Sequence, residues 1–208
     1  MPRPRFDNLD TARRARILEA AARAFAADGY DGASLNKILD AAGLSKGAAY
    51  YYFDDKLDLF LTTVAHYAAE LLADVQLAPD DLTADTFWPA LAGLYRRQYA
   101  QARTRPFAFG VVKAAGTLPP DARAGGPLAE MSQQLQQLLM ALLQRGQALG
   151  VVRRDLPFEL LLTLVGSVDE AYDNWLLAAW AGSAAADPPL ETAVATIVHL
   201  LQRLLAPT

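Results

Sequence analysis

The chain has 208 residues, 53 % of them hydrophobic, with 19 Lys/Arg against 23 Asp/Glu and no cysteine. That length buries a sizeable core without staples, and the missing cysteines exclude disulfide frameworks and thiolate metal sites. No apolar run is long enough for a membrane span, and the start MPRPRFDN lacks the apolar stretch of a secretory signal, so a soluble, cytoplasmic, helix-rich protein is expected.

The net charge of −4 is unevenly spread. Residues 1–56 hold nine Lys/Arg against eight Asp/Glu, whereas the remainder holds ten against fifteen. The difference has the sign expected if only the first segment approaches phosphates.

Residues 1–8 alternate Pro and Arg without a period and read as a flexible arm, for which a solubilising tail and a minor-groove contact through Arg3 and Arg5 are both open. From Asp10 to Asp28, Ile17, Ala21, Ala24 and Phe25 recur at helical spacing, and Gly29 follows where a C-cap tolerates positive φ. Ser34 offers a hydroxyl to cap a second helix through Ile38 and Leu39 to Ala42, which Gly43 ends. Ser45 caps a short third helix to about Phe53, and Asp55 caps a fourth from Lys56 to about Asp74. Leu57, Phe60, Leu61, Val64, Tyr67 and Leu71 form one apolar stripe along that fourth helix.

LAPDDLTADT reads as a loop, followed by helices near 83–103, 107–115, 127–149, 157–182 and 188–205, with a Gly/Pro-rich connector or pocket lid at 116–127. No segment alternates polar and apolar residues between turn signals, so the fold class is all-α. An amino-terminal three-helix helix-turn-helix domain is expected over 1–55 and a second, wholly helical domain over 56–208.

The informative stretch is SLNKILDAAGLSKGAAYYYFDDK, Ser34 to Lys56. Two short helices meeting at a tight turn need small residues where they cross, a glycine at the bend and an apolar plug beyond it, which Ala41, Ala42, Gly43 and Leu44 supply. Ala49 and Phe53 then face inward, leaving Lys46, Gly47, Ala48, Tyr50, Tyr51 and Tyr52 outside. A helix enters the major groove when its leading residues are small or hydrogen-bonding, a condition that Lys46-Gly47-Ala48 meets. Ala48 suits a thymine methyl, the tyrosine hydroxyls and Lys46 suit phosphates or base edges, and the helix starts at Ser34 and Lys56 suit phosphate oxygens. The bland alternative is an ordinary helical core with tyrosines at its surface.

The run Thr11 to Phe60, above all Gly43-Leu44-Ser45-Lys46-Gly47 followed by Tyr50-Tyr51-Tyr52-Phe53 and Lys56, resembles the DNA-binding domain of TetR-type regulators. The resemblance implies that Ser34, Asn36 and Lys37 lie on the supporting helix near the DNA backbone. It implies that Lys46, Gly47, Ala48, Tyr50 and Tyr52 lie on the recognition helix, Lys56 on a phosphate, and Tyr51 at a partly packed aromatic position. Ala48, Ala49 and Tyr52 depart from the common pattern of Thr, Leu and His, which bears on the target sequence.

The same resemblance implies a helical ligand pocket in the second domain and dimerisation through the last two long helices. PFELLLTLVGSVDEAYDNWLLAAWAG and PPLETAVATIVHLLQRLL are apolar on more than one face, as a dimeric four-helix bundle requires. Two-fold pairing sets recognition helices about 34–36 Å apart and implies a palindromic operator. Candidate pocket residues are Tyr67, Trp88, Tyr95, Tyr99, Phe107, Phe109, Tyr172 and Trp175, the alternative for each being ordinary core.

Asp169 and Asp173 share a helix face and read as a solvated strip or, if buried, as partners of a cationic or hydrogen-bond-donating ligand or of an arginine such as Arg153 or Arg154. His66 and His199 read as structural, and no metal or cofactor is expected. The G-x-S-x-G, H-E-x-x-H, P-loop and G-x-G-x-x-G patterns are all absent, so an enzyme is not expected. The expectation is a regulator, a repressor in preference to an activator, that binds operator DNA as a homodimer and responds to a small-molecule effector; a helical dimeric ligand-binding protein without DNA binding is the alternative.

Overall fold

The computed structural model describes residues 4–73, 77–119, 126–180 and 187–207, with the backbone alone at 126–128, and contains helices and no strands among them. In the first part of the chain, α1 (Pro4–Asp7) precedes α2 (Thr11–Gly32), α3 (Leu35–Ala42), α4 (Lys46–Tyr52) and α5 (Lys56–Ala73). The Asp10 carboxylate accepts from the Arg13 amide at 2.9 Å and so starts α2. Ile17, Leu18, Ala21, Ala22 and Phe25 then turn one face of α2 into the core. Gly29, at φ 67° and ψ 179°, is non-helical and breaks α2 after Asp28, where a glycine tolerant of positive φ is expected; a further helical turn follows the kink to Gly32.

Residues 4–7 correct the expectation of a flexible arm. They form a helical turn whose Phe6 is 2 % exposed and packs 4.8 Å, centroid to centroid, from Phe53. A single aromatic side chain with a core to enter orders this segment, although the segment has no hydrophobic period. Met1 to Arg3, and with them the expected Arg3 contact, lie outside the described residues.

The chain contacts divide into two compact units, Met1–Ala73 with Arg105–Met131, and Asp74–Thr104 with Ser132–Thr208. The first therefore extends beyond the boundary expected after residue 55. Leu59, Phe60, Val64 and Tyr67 of α5 share one core with α2, α3 and α4, and Ala108 and Val111 of α7 (Pro106–Ala114) join it. Gly110 admits the close approach of α7 to α2: a β-carbon there would stand 2.8 Å from Ala26 Cβ.

The second unit contains α6 (Phe87–Thr104), the length of α8 (Gly126–Ala148) from Ser132 onward, α9 (Phe158–Trp180) and α10 (Leu190–Leu205). α6 begins at Phe87 rather than 83 because Thr83 and Thr86 exchange hydrogen bonds before it, the Thr83 amide donating to Thr86 Oγ1 at 2.9 Å and the Thr86 amide to Thr83 Oγ1 at 3.3 Å. Arg96 clamps Glu191 through two 2.8 Å bonds, and the Tyr172 hydroxyl donates to the Ala193 carbonyl at 2.9 Å. Leu161, Val165 and Leu176 of α9 and Ala193, Val194, Ile197 and Leu201 of α10 fill this core. Of the expected connector at 116–127, residues 120–125 lie outside the described residues.

Candidate nucleic-acid interface

The turn between α3 and α4 is built from its caps. The Ser34 hydroxyl accepts from the Lys37 amide at 3.5 Å, and the Ser45 hydroxyl accepts from the Ala48 amide at 3.2 Å. Gly43, at φ 67° and ψ 36°, is left-handed, and the Gly43 and Leu44 amides close the end of α3 by donating to the carbonyls of Asp40 and Leu39 at 3.1 and 2.8 Å. Leu44 is buried as the plug beyond the bend, beside Leu39, Ala42 and Ala49. A side chain at 43 would be strained in that conformation, so glycine belongs there.

This arrangement leaves one polar face. Asn36 and Lys37 of α3 and Ser45, Lys46 and Gly47 at the start of α4 are exposed, while Ala48 is half-buried. Asn36, Ser45 and Lys46 line a common cleft with Leu39, Asp40 and Leu44. Tyr50 and Tyr51 are 55 % and 47 % exposed, which is high for rings of that size.

Tyr52 corrects the expectation that all three tyrosines point outward. It is 9 % exposed, with its ring 6.3 Å from Phe6 and edge-on to Tyr51 at 5.3 Å. On a helix advancing 100° per residue, three consecutive side chains span too wide an arc to share one face. Ala49, Tyr52 and Phe53 take the inner side.

Lys56 is half-buried, donates from Nζ to the Asp31 carbonyl at 3.2 Å and lies 4.9 Å from the Tyr30 ring centroid. Asp55 Oδ1 accepts from the Asp58 amide at 2.8 Å and caps α5, while Asp58 Oδ2 accepts from the Asp54 amide at 3.1 Å. An ammonium beside the first turn of an 18-residue helix is held there by a backbone carbonyl and an aromatic face.

The residues expected to line a pocket divide between the two units. Tyr67, Phe107 and Phe109 belong to the first; Tyr67 is buried edge-on to Phe107 at 5.8 Å, and the Arg105 guanidinium lies 5.3 Å from its ring centroid. Trp88, Tyr95, Tyr99, Asp169, Tyr172, Asp173 and Trp175 belong to the second. There Tyr95, Tyr99 and Tyr172 are buried, Trp88 is half-buried and Trp175 is 45 % exposed.

Asp169 and Asp173 are neither a solvated strip nor partners of Arg153 and Arg154. They are half-buried and accept hydrogen bonds from the hydroxyls of Tyr95 at 2.5 Å and Tyr99 at 3.0 Å. Arg153 instead pairs with Asp155 at 2.6 Å, and Arg154 donates to the Gln147 carbonyl. His66 Nε2 faces Glu70 at 3.2 Å, and burial holds its imidazole below the ordinary value. No group of ligating side chains among the described residues is arranged for a metal ion.

A short helix with small leading residues and a polar outer face, set after a left-handed glycine against a supporting helix, defines a helix-turn-helix DNA-binding protein. Residues 17–63 match the family model for bacterial regulatory proteins of the tetR family. Over 160 residues, 77 % of this chain and 78 % of the relative, the chain is 28 % identical to the HTH-type transcriptional repressor AcnR of Corynebacterium diphtheriae.

Among solved structures, a TetR family transcriptional regulator from Chloroflexus aurantiacus superposes with a TM-score of 0.69 at 21 % identity, covering 99 % of both chains. The transcriptional regulator FadR from Bacillus subtilis, in complex with stearoyl-CoA, gives 0.67 at 17 % identity over 90 % of this chain and 96 % of that one. Residues 17–63 are thus similar to the DNA-binding domain of tetR-type regulators, and the protein is a DNA-binding transcriptional regulator.

Proposed function

We propose that the protein is a cytoplasmic repressor that acts by binding rather than catalysis, holds a palindromic operator as a homodimer, and is released by a small-molecule effector. The observation that carries the DNA-binding part is the exposed α4 face, where Lys46, Gly47 and Tyr50 stand outward on a helix fixed from behind by Ala49, Tyr52 and Phe53. Lys46 and Tyr50 supply phosphate and base-edge contacts, Gly47 and Ala48 the close approach to the groove floor, and Ser34, Asn36, Lys37 and Ser45 contacts to the backbone. Tyr51 lies beside them, Tyr52 supports the helix from its inner side, and Lys56 reaches a phosphate after exchanging its bond to the Asp31 carbonyl.

Pairing through α9 and α10 is supported by the apolar side chains they leave outward, Leu160, Trp175 and Leu200, each more than 40 % exposed in one chain. Repression is supported by the relative from Corynebacterium diphtheriae. Effector control is supported by the same fold's having been solved around stearoyl-CoA, and by the tyrosine–carboxylate pairs that place polar groups among the aromatic side chains of the second unit. Asp169, Asp173, Tyr95, Tyr99, Tyr172, Trp88 and Trp175 there, and Tyr67, Phe107 and Phe109 in the first unit, are the proposed effector-responsive residues. An effector changes operator affinity only by binding two recognition-helix spacings unequally.

The Lys46→Ala, Tyr50→Ala double variant tests the assignment. It is expected to lose operator binding in an anisotropy titration while keeping the wild-type dimer mass and melting temperature. Retained binding, or unfolding, shows that these side chains are not the reading surface.

A further inference from the structure

Phe6 is almost fully buried against Tyr52 and Phe53, at the end of α4. The adjoining Arg5 is exposed, and its guanidinium carbon lies 4.3 Å from the ring centroid of Tyr51, on the outward side of the same helix. A guanidinium stacked by its face on an aromatic ring keeps its rim of N–H donors directed sideways and loses little freedom on meeting an acceptor. The stack sits on the second turn of α4, whereas the small residues suited to the groove floor, Gly47 and Ala48, are on the first. A side chain on the later turn of a groove-bound helix stands nearer the groove's edge, where the phosphates run.

We propose that Arg5 is a DNA-backbone contact, held against the recognition helix by stacking on Tyr51, and that Phe6 is the positioning residue that fixes it there. The proposal rests on the reading of α4 as the recognition helix. It assigns Arg5 a sequence-independent role: the arginine adds a phosphate contact to each protomer and leaves the base preference to α4.

The test uses the full-length protein and an operator fragment selected from a random library, with affinity measured by fluorescence anisotropy over a range of salt concentrations. One phosphate contact per protomer lost from a dimer flattens the slope of log K against log salt by about 1.8. Arg5→Ala is expected to show that flattening with an unchanged ranking of operator variants. Phe6→Ala is expected to reproduce it with Arg5 still present, and Phe6→Leu to restore part of the slope.

A wild-type slope for Arg5→Ala overturns the proposal whatever Phe6→Ala does to folding. A wild-type slope with lost preference at a flanking base pair overturns it in favour of a base contact. A folded wild-type protein that enriches no fragment refutes the recognition-helix reading itself, whereas binding with an unaltered Arg5→Ala slope refutes only the role of Arg5.

Discussion

The Tyr95 hydroxyl donates to Asp169 Oδ1 at 2.5 Å, tying α6 to α9 inside the second unit, and Tyr99 repeats the bond to Asp173 one turn further on. Burial first, and then the neighbouring carboxylates, push both phenols well above their ordinary value. An unfolded tyrosine releases its proton near pH 10. The folded form holds it beyond that point, so the stabilisation is complete below about pH 10 and is lost as pH rises through the higher folded value. The melting temperature is therefore expected to fall steeply above pH 10, and the Tyr95→Phe, Tyr99→Phe double variant to flatten that fall while starting lower at neutral pH. Equal alkaline slopes in the two proteins would count against these bonds as its source.

Gly110 faces Ala26 where no β-carbon fits at ordinary separation, the 2.8 Å approach being to another β-carbon that cannot swing away. Gly110→Ala is expected to force α7 from α2 and cost roughly 1–3 kcal/mol in urea-induced unfolding. Gly110→Val should cost more. A stability gain in Gly110→Ala, as helix propensity alone predicts, would show that the two helices separate easily.

Tyr50 and Tyr52 are two residues apart and should behave oppositely. Tyr52→Ala opens the cluster with Phe6 and Phe53 and is expected to lower stability by about 3–5 kcal/mol. Tyr50→Ala removes an exposed ring and is expected to change stability by no more than about 0.5 kcal/mol while weakening DNA binding. Chemical denaturation and operator titration on the same preparations separate the two effects.

Helix positions were largely legible because their ends are written locally. Ser34, Ser45 and Asp55 are caps three residues ahead of the amides they accept from, and Gly43 alone permits the left-handed turn. Features that depend on distant partners were not. Phe6 is one aromatic side chain in a Pro/Arg stretch, and only the folded cluster shows that it has somewhere to go. Asp169 and Asp173 are bonded to tyrosines 74 positions earlier, a pairing that helical spacing identifies for neither helix. Within Tyr50-Tyr51-Tyr52 the residue types are identical, so only the packing against Phe6 separates the inner ring from the outer two. Likewise, no local signal places α7 with α2 and α5 across the intervening helix; the space left by Gly110 does.

The central claim, that α4 reads a two-fold-symmetric DNA site, is tested most directly by selecting fragments from a random duplex library with the purified protein at moderate and high salt. The account predicts enrichment of a palindrome whose half-sites are centred about one helical turn apart, with weaker binding as salt rises. A folded dimer that enriches no sequence, or one whose enriched site is unaffected by Lys46→Ala with Tyr50→Ala, would contradict it.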